Sequence, residues 1–444
     1  MFCLGQELFF FCLLIGKEFF KRRDSKYLFA ALVGFLPQFA FLSCYLNNDC
    51  FSVFCSAIIL LAWVRGVKYG WTAKNIVLLA VGIGFDAISY YNAYGWILCS
   101  IFVVFFSIRH DKNLEKKIKP FLKIFFIVFC VAFAIAGWYF VRNFIIYNGD
   151  VFGLRTSRLC AELNAHIDFK PSNRLTLKNQ GMSFCSILFN RAWHESVIRS
   201  FFCVLGGMNI FADDIIYILY FTIVFIGLFV FVLNEKKIQI CKKKIILCML
   251  IVCMVVPYFF SMYYSYANDY QAQGRYVISA LLPLQLFVAF GYEVLTEKIK
   301  KHIPFAITVS ALILYILLFL VVFLTVIYPE CWGNENSSKT TVLPSYPVVT
   351  RDFQYCIDSE DSSRLGETEI SGWAFFENHN CDIYIQANGN YYKAKKVSRI
   401  DVKQAFHLKS SRNGFKAIVP DSFSYYQLIL VNKSRKEIYC KTIH

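Results

Sequence analysis

The stretch that decides the fold is Gly137 to Asp150, GWYFVRNFIIYNGD. An apolar run over 121–141 reads as a membrane helix and ends abruptly in Arg142-Asn143. A short aromatic and aliphatic turn follows, then Asn148-Gly149-Asp150, a turn signal. What an arginine and an amide do where lipid ends depends on which side of the membrane that end faces.

Composition sets the class. The 444 residues are 57% hydrophobic and include 47 phenylalanines and 27 tyrosines. Mean hydropathy is +0.49. Soluble domains carry about 45–50% apolar residues, so the chain reads as a polytopic membrane protein. A net charge of +16 would point a soluble chain toward nucleic acid. Here the basic residues gather in short connections between apolar runs, so the charge speaks to orientation and excludes nucleic acid as the partner. Most of the 17 cysteines checked against the runs, such as Cys12, Cys44, Cys55, Cys99, Cys130, Cys248 and Cys253, sit inside them as small hydrophobes. No Cys/His spacing suits zinc, and no metal site is expected.

A helical span needs roughly 20 apolar residues. Ten segments qualify as candidates: 2–16, 27–45, 51–67, 75–90, 93–108, 121–141, 214–233, 245–264, 276–296 and 304–328. The first and fourth are short and carry polar residues. Connections 17–26, 65–74, 109–119, 235–244 and 293–302 hold 21 Lys and Arg, whereas 46–50, 90–95 and 265–275 hold only Arg275. Basic loops stay cytoplasmic. The N-terminus, the long loop 142–213 and everything after Tyr328 are therefore expected outside. Within that loop, CSILFNRAWHESVIRSFFCVLGGMNIF interleaves aromatics and charges, and suits either an amphipathic or re-entrant stretch or an ordinary external helix.

Beyond 330 the chain turns polar, with short alternating runs such as EISGWAFF, CDIYIQANGNYYKAKKV, GFKAIVP, YQLILVN and EIYCKTI. Asn388-Gly389 between two of them predicts a hairpin. The expected organisation is a helix bundle over 1–328, a linker over 329–350 and a small all-β, sandwich-like external domain over 351–444. Cys331, Cys356, Cys381 and Cys440 would lie outside, either free or paired.

Polar clusters mark the expected outer helix ends. They comprise Asn47, Asn48 and Asp49; Asp86 with Tyr90, Tyr91 and Asn92; Arg142 and Asn143 with Asp150 beyond; and Asn268, Asp269, Gln271, Gln273 and Arg275. Each has a plain reading: amides and carboxylates cap helices, and tyrosines form interfacial belts. Asp86 lies about a turn inside the boundary, so the segment is re-entrant or the carboxylate faces a polar cavity. Arg142 and Arg275 are placed against the positive-inside bias. They either snorkel to headgroups or hold a phosphate as bidentate partners. Two arginines beside carboxylates on one face suit transfer of a sugar from a lipid-linked phosphate.

Four stretches carry a resemblance: YLNNDCFSVFCSAIILLAWVRGVKYGWTAKNIVLLAVGIGFDAISYYNAYGWIL, AGWYFVRNFIIYNGDVFGL, LGGMNIFADDIIYILY and YQAQGRYVISALLPL. In this order they resemble a family of bacterial polytopic membrane proteins of unassigned function. That family looks like the GT-C glycosyltransferases, which use polyprenyl-phosphate-linked sugars at the outer face. The likeness covers roughly residues 1–328. ISGWAF (Ile370 to Phe375), SRIDV (Ser398 to Val402) and NGFKAIVP resemble a β domain attached to bacterial surface-polysaccharide glycosyltransferases. The resemblance implies a GT-C-like bundle in the bacterial cytoplasmic membrane. It also implies a polyprenyl-phosphate-sugar donor and an envelope glycan or lipid as acceptor.

One departure bears on activity. GT-C enzymes usually carry a catalytic acid in the first external loop, and this sequence begins at what looks like the second helix, FCLGQELFFFCLLIGKEFF. An N-terminally truncated or mis-started chain is therefore expected, and Asp49 is the best remaining acid/base. In this scheme Arg142 and Arg275 hold the lipid phosphate. Asn47, Asn48, Asn143, Gln273 and the Tyr90, Tyr91, Asn92 corner position sugar or headgroup. No pattern signals a cofactor, although a divalent metal is compatible with the chemistry. The competing scheme is a binding protein, scaffold or transporter for lipid-linked saccharide. Transport would call for internal repeats with interrupted helices at midplane, and no clear repeat is present.

Overall fold

A computed structural model describes residues 2–109, 118–167, 170–174, 176–206, 208, 210–234, 244–298, 304–328, 340–364, 367–379, 381–420 and 425–443. Parts of the basic connections (110–117, 235–243 and 299–302), the start of the expected linker and Cys331 lie outside the described residues. The chain divides into two compact units, one of Met1–Val204 with Ala212–Val321 and one of Leu205–Phe211 with Val322–His444.

The first unit is helical. Its elements are α1 (Phe2–Phe19), α2 (Arg23–Gly34), α3 (Pro37–Leu42), α4 (Asn48–Tyr69), α5 (Ala73–Ala87), a 3₁₀ turn at Tyr91–Ala93 and α6 (Tyr94–Arg109). Then come α7 (Ile118–Ile146), α8 (Leu154–Asn164), α9 (Phe184–Leu188), α10 (Arg191–Cys203), α11 (Asp214–Leu233) and α12 (Lys244–Ala267). A 3₁₀ segment at Gly274–Ala280 runs into α13 (Leu281–Lys298), and α14 (Pro304–Val322) follows. Two-residue strands β1 (Val204–Leu205) and β2 (Ile210–Phe211) flank a turn before α11.

Seven of the described helices are long and apolar enough to cross a membrane: Asn48–Tyr69, Tyr91–Arg109, Ile118–Ile146, Asp214–Leu233, Lys244–Ala267, Gly274–Lys298 and Ile307–Ile327. This is the architecture of a multi-pass membrane protein. The other three of the ten expected spans fall short, each for a physical reason. α1 has Glu7, Lys17 and Glu18 within 18 residues. The second span breaks into α2 and α3, because Pro37 opens a new helix and holds Leu36 extended at φ −71°, ψ 120°. α5 has 15 residues, about 22 Å of helix against a hydrocarbon core of about 30 Å.

The 274–298 segment and α4 are the enclosed elements, 89% and 78% buried, whereas α7 is 22% buried. Close approach is built on glycine where α11 meets α13. A methyl on Gly291 would overlap the Gly227 carbonyl oxygen, and one on Gly227 would stand 2.7 Å from Val288 Cγ1. Side chains then bond across helices, as apolar surroundings require. Trp63 Nε1 donates to Ser100 Oγ at 2.9 Å, Tyr292 to the Ile223 carbonyl at 3.1 Å and Tyr315 to the Leu32 carbonyl at 3.1 Å.

The second unit carries β3 (Thr340–Thr341), β4 (Gln354–Arg364), β5 (Glu367–Phe375), β6 (Asp382–Ala387), β7 (Asn390–Lys393), β8 (Lys395–Val397), a short helix α15 (Ile400–Ala405), β9 (Gly414–Pro420), β10 (Tyr426–Asn432) and β11 (Glu437–Ile443). Two antiparallel sheets form, in orders β11-β10-β6-β7-β3 and β4-β5-β9-β8. Ile370, Phe415 and Ala417 from one meet Ile385, Leu428 and Tyr439 from the other in a single core. Asn388 and Gly389 take φ of 49° and 76° between β6 and β7, the left-handed pair that a two-residue hairpin needs. The stretch expected as a tether is not wholly one, since Thr340–Thr341 pairs with Tyr391 and Tyr392. Cys356, Cys381 and Cys440 are free thiols.

Arg399 is the electrostatic clamp of this unit. It forks onto Asp401 at 2.7–3.1 Å and also bonds Asp358. That fork holds Asp401 below the usual carboxylate range against the opposing pull of burial. Burial raises Asp382, but Lys433, Lys393 and Lys396 outweigh it and keep its carboxyl low. A carboxylate depressed in the fold stabilises above its unfolded pKa of about 3.9, and that support goes as pH falls through the folded value.

Two outcomes are expected. Gly291→Ala should lower the thermal midpoint of the purified protein, at a cost of roughly 1–3 kcal/mol. Gly95→Ala, whose methyl would meet nothing nearer than 3.7 Å, should leave the midpoint within error. Arg399→Ala should cost the β unit roughly 1 kcal/mol near neutral pH. Hydrogen exchange of β5 and β9 amides in the full chain should show the gap closing below about pH 3, where carboxylates protonate.

Candidate functional site

Three helices define two opposite ends of the bundle. α4 starts at Asn48 and finishes beside Arg65 and Lys68, which pair with Glu18 at 3.7 and 2.9 Å. The 274–298 segment begins at Gly274 and ends near Glu293, whose Oε1 accepts the Lys21 and Arg22 amides at 2.9 and 3.0 Å. The 91–109 helix begins at Tyr91 and ends where Trp71 Nε1 donates to Ser107 at 2.7 Å. Described parts of connections 17–26, 65–74 and 293–302 thus meet at one end. Asp49, Asn92 and Arg275 are at the other.

The polar end starts with a cap. Asn47 is extended (φ −152°, ψ 162°), and its Oδ1 accepts the Cys50 amide at 3.0 Å. Its Nδ2 donates to the Tyr45 carbonyl at 3.0 Å and to the Leu42 carbonyl. One amide therefore opens α4 and ties down the turn before it. Asp49 follows in the first helical turn, where the helix dipole favours a carboxylate. It is 7% exposed.

On the 3₁₀ segment, which packs against α4, Arg275 is the second residue. Its guanidinium lies 4.9 Å over the Tyr276 ring, and Nη2 donates to the Tyr276 hydroxyl at 3.1 Å. Its charge attracts Asp49. Burial pushes the Tyr45 phenol up while Arg275 pulls it down. Burial likewise raises Tyr90, with Tyr91, Asp49 and Tyr276 acting in the same sense and Arg275 against them. These residues form one group. Arg275 Nε is sealed from solvent, with no hydrogen-bond partner among the described residues. A buried N–H without a partner is costly, so the guanidinium retains unused donor capacity beside a carboxylate.

The surrounding elements lock this group. Asn92 Nδ2 donates to the Tyr276 carbonyl at 3.0 Å, joining the 90–95 corner to the 3₁₀ segment. Tyr276 bonds Gln271 Oε1, Gln271 Nε2 donates to Asp269 at 2.7 Å, and Arg174 pairs with Asp269 at 3.5 Å. Gly274 N donates to Ser200 Oγ at 2.6 Å, and a methyl there would overlap the Phe201 backbone. The stretch 185–211, which suited a re-entrant element equally well, is a packed helix over most of its middle. α10 buries Trp193, Val197 and Phe201 and contacts α3, α11 and the 3₁₀ segment.

Other expected site residues stand apart. Arg142 is exposed and donates to its neighbour Asn143 Oδ1 at 3.3 Å, while buried Asn143 donates to the Val151 carbonyl at 3.2 Å. That pair closes the turn after α7, and nothing in the structure joins Arg142 to Asp49 or Arg275. Asn48 is exposed at the first position of α4, and Gln273 is the extended residue before the 3₁₀ segment. Asp86 is fully buried, with Ser89 Oγ 3.2 Å from Oδ1 and Oδ2 unpartnered. Tyr45, Tyr276 and Arg174 were not singled out from sequence. Tyr276 adjoins Arg275, but an arginine stacked on the next residue follows from 3₁₀ geometry that spacing does not announce.

Among the described residues no group of three His, Cys, Asp or Glu is placed to hold a metal ion. No family model matches the chain, and no curated protein matches it.

The cap yields a test. Asn47→Ala should cost roughly 1 kcal/mol through loss of the α4 cap. Asn47→Asp keeps the acceptor but loses both donations, so it should recover part of that in thermal unfolding of the purified protein.

Proposed function

We propose that the chain is a membrane glycosyltransferase of the GT-C kind, moving a sugar from a polyprenyl-phosphate donor to an envelope glycan or lipid. The observation that carries this is the buried Nε–H of Arg275, without a hydrogen-bond partner among the described residues. It lies on a segment packed against α4, whose first turn holds the buried carboxylate of Asp49. An acceptor hydroxyl oxygen would attack the anomeric carbon and pass its proton to Asp49. The bond from that carbon to the phosphate oxygen would break with its electron pair, and the new phosphate charge would fall to Arg275. Tyr45, Tyr90 and Tyr91 offer ring faces and hydroxyls to sugar or headgroup, and Asn92 holds the corner.

Orientation supports the same reading. Lys/Arg-rich connections at the opposite end favour a cytoplasmic position for that end, by the positive-inside rule. Asp49 and Arg275 would then face outward from a bacterial cytoplasmic membrane, and the same rule supports an extracytoplasmic C-terminal domain. Arg142 has no part in transfer in this scheme, because its guanidinium lies outside the group.

The test is transfer of label from a polyprenyl-phosphate sugar in membranes containing the protein. Arg275→Ala and Asp49→Asn should each lower transfer by at least about 100-fold, the scale of losing charge stabilisation or an acid/base. Arg142→Ala should stay near the parent rate. Donor bound but never consumed would replace this reading with a binding protein for lipid-linked saccharide.

A further inference from the structure

The turn after α7 does not lead the chain away from the helix. Asn148 and Gly149 take φ of 49° and 90°, and the backbone doubles back. Asn143 bonds the Val151 carbonyl, and the Phe152 ring packs 5.9 Å from Phe140. The chain thus enters α8 from a turn folded back on the last two turns of α7, which also presents exposed Phe144 (57%) and Ile145 (69%). Side chains of that size on a spanning helix belong in lipid.

α8 itself has two unlike sides. At 100° per residue, Leu159, Cys160 and Leu163 share one side, and Arg155, Arg158 and Glu162 share the other. The charged side is engaged by the chain, since Glu162 accepts the Ser172 amide at 3.0 Å and its hydroxyl. The leucine side is bare, with Leu159 54% and Leu163 78% exposed. No residue of α8 is buried.

We infer that α8 is an interfacial helix, seated at the headgroup–acyl boundary with Leu159 and Leu163 in the acyl chains. The occupant follows from position, because Phe152, two residues before α8, packs on Phe140 within the last two turns of a helix long and apolar enough to cross a membrane. It follows also from charge. Arg142, Arg155 and Arg158 are exposed around this helix and suit anionic headgroups. The inference is independent of any catalytic role for Asp49 and Arg275.

The test places a photoreactive diazirine residue at position 159, 163 or 162 of the full chain, with Phe129 on the exposed mid-span of α7 as control. The protein is reconstituted in vesicles of mixed phosphatidylglycerol and phosphatidylcholine, and adducts are identified by mass. Lipid adducts are expected at 159 and 163, with position 162 crosslinking instead to the chain around Ser172. Adducts at 159 and 163 should be richer in phosphatidylglycerol than those at 129, by about fivefold for an arginine near the surface. Lipid at 129 with none at 159 and 163 would overturn the interfacial seat. Equal lipid composition at all three would overturn the headgroup part.

Discussion

The enclosure of the 274–298 segment is the constraint on which the helical unit rests. An element covered on nearly every side offers its neighbours backbone and small side chains, and they approach as closely as those allow. Gly291 against Gly227 sets the distance between α13 and α11. Gly274 against Phe201 does the same for α10 at the other end of the segment. In hydrocarbon, close packing and interhelical hydrogen bonds hold helices together, so these contacts carry weight that leucine surface carries in water. Arg275 sits where it does because the segment beginning at Gly274 can seat in only one way under α10.

That seating explains why the polar end is a site-like place and not a rim of ordinary caps. Asn47 behaves as a cap, as its residue type suggests. Asp49 and Arg275 do not, because the Asp49 carboxylate is buried and Arg275, half-buried, turns its guanidinium over the Tyr276 ring with Nε sealed from solvent. The tyrosines around them are an interfacial belt in composition and a wall in geometry. A buried carboxylate on α4 and a guanidinium with donor capacity left over on the segment packed against it are what set this end apart from ordinary caps.

Much of the architecture was legible from residue order. The hairpin at Asn388-Gly389 follows from local backbone chemistry, since few residues accept two successive positive φ values. Seven spans appear where long apolar runs were found. The failures are instructive. Pro37 splits a run whose hydropathy is continuous, and α5 is too short for the role its apolar composition suggests. The stretch around Trp193 has the aromatic and charged mixture of a surface helix, yet it packs against the bundle. α8, by contrast, has no buried residue.

Sequence by itself determined the solvent, and it set the expectation for the sense of the chain. Apolar runs of span length cannot be satisfied in water, and the gathering of Lys and Arg in alternate connections is a property of order alone. Only the tertiary structure decided which polar residues belong together. Arg142 and Arg275 look equivalent along the chain, each an arginine at the non-basic end of a span. One residue turns a helix by about 100°, and the packing of α13 and the turn after α7 rotate these two differently. Arg275 is drawn in against Asp49 and Tyr276, while Arg142 is left at the exposed flank of α7. Spacing cannot encode that difference, because it arises from what each helix meets.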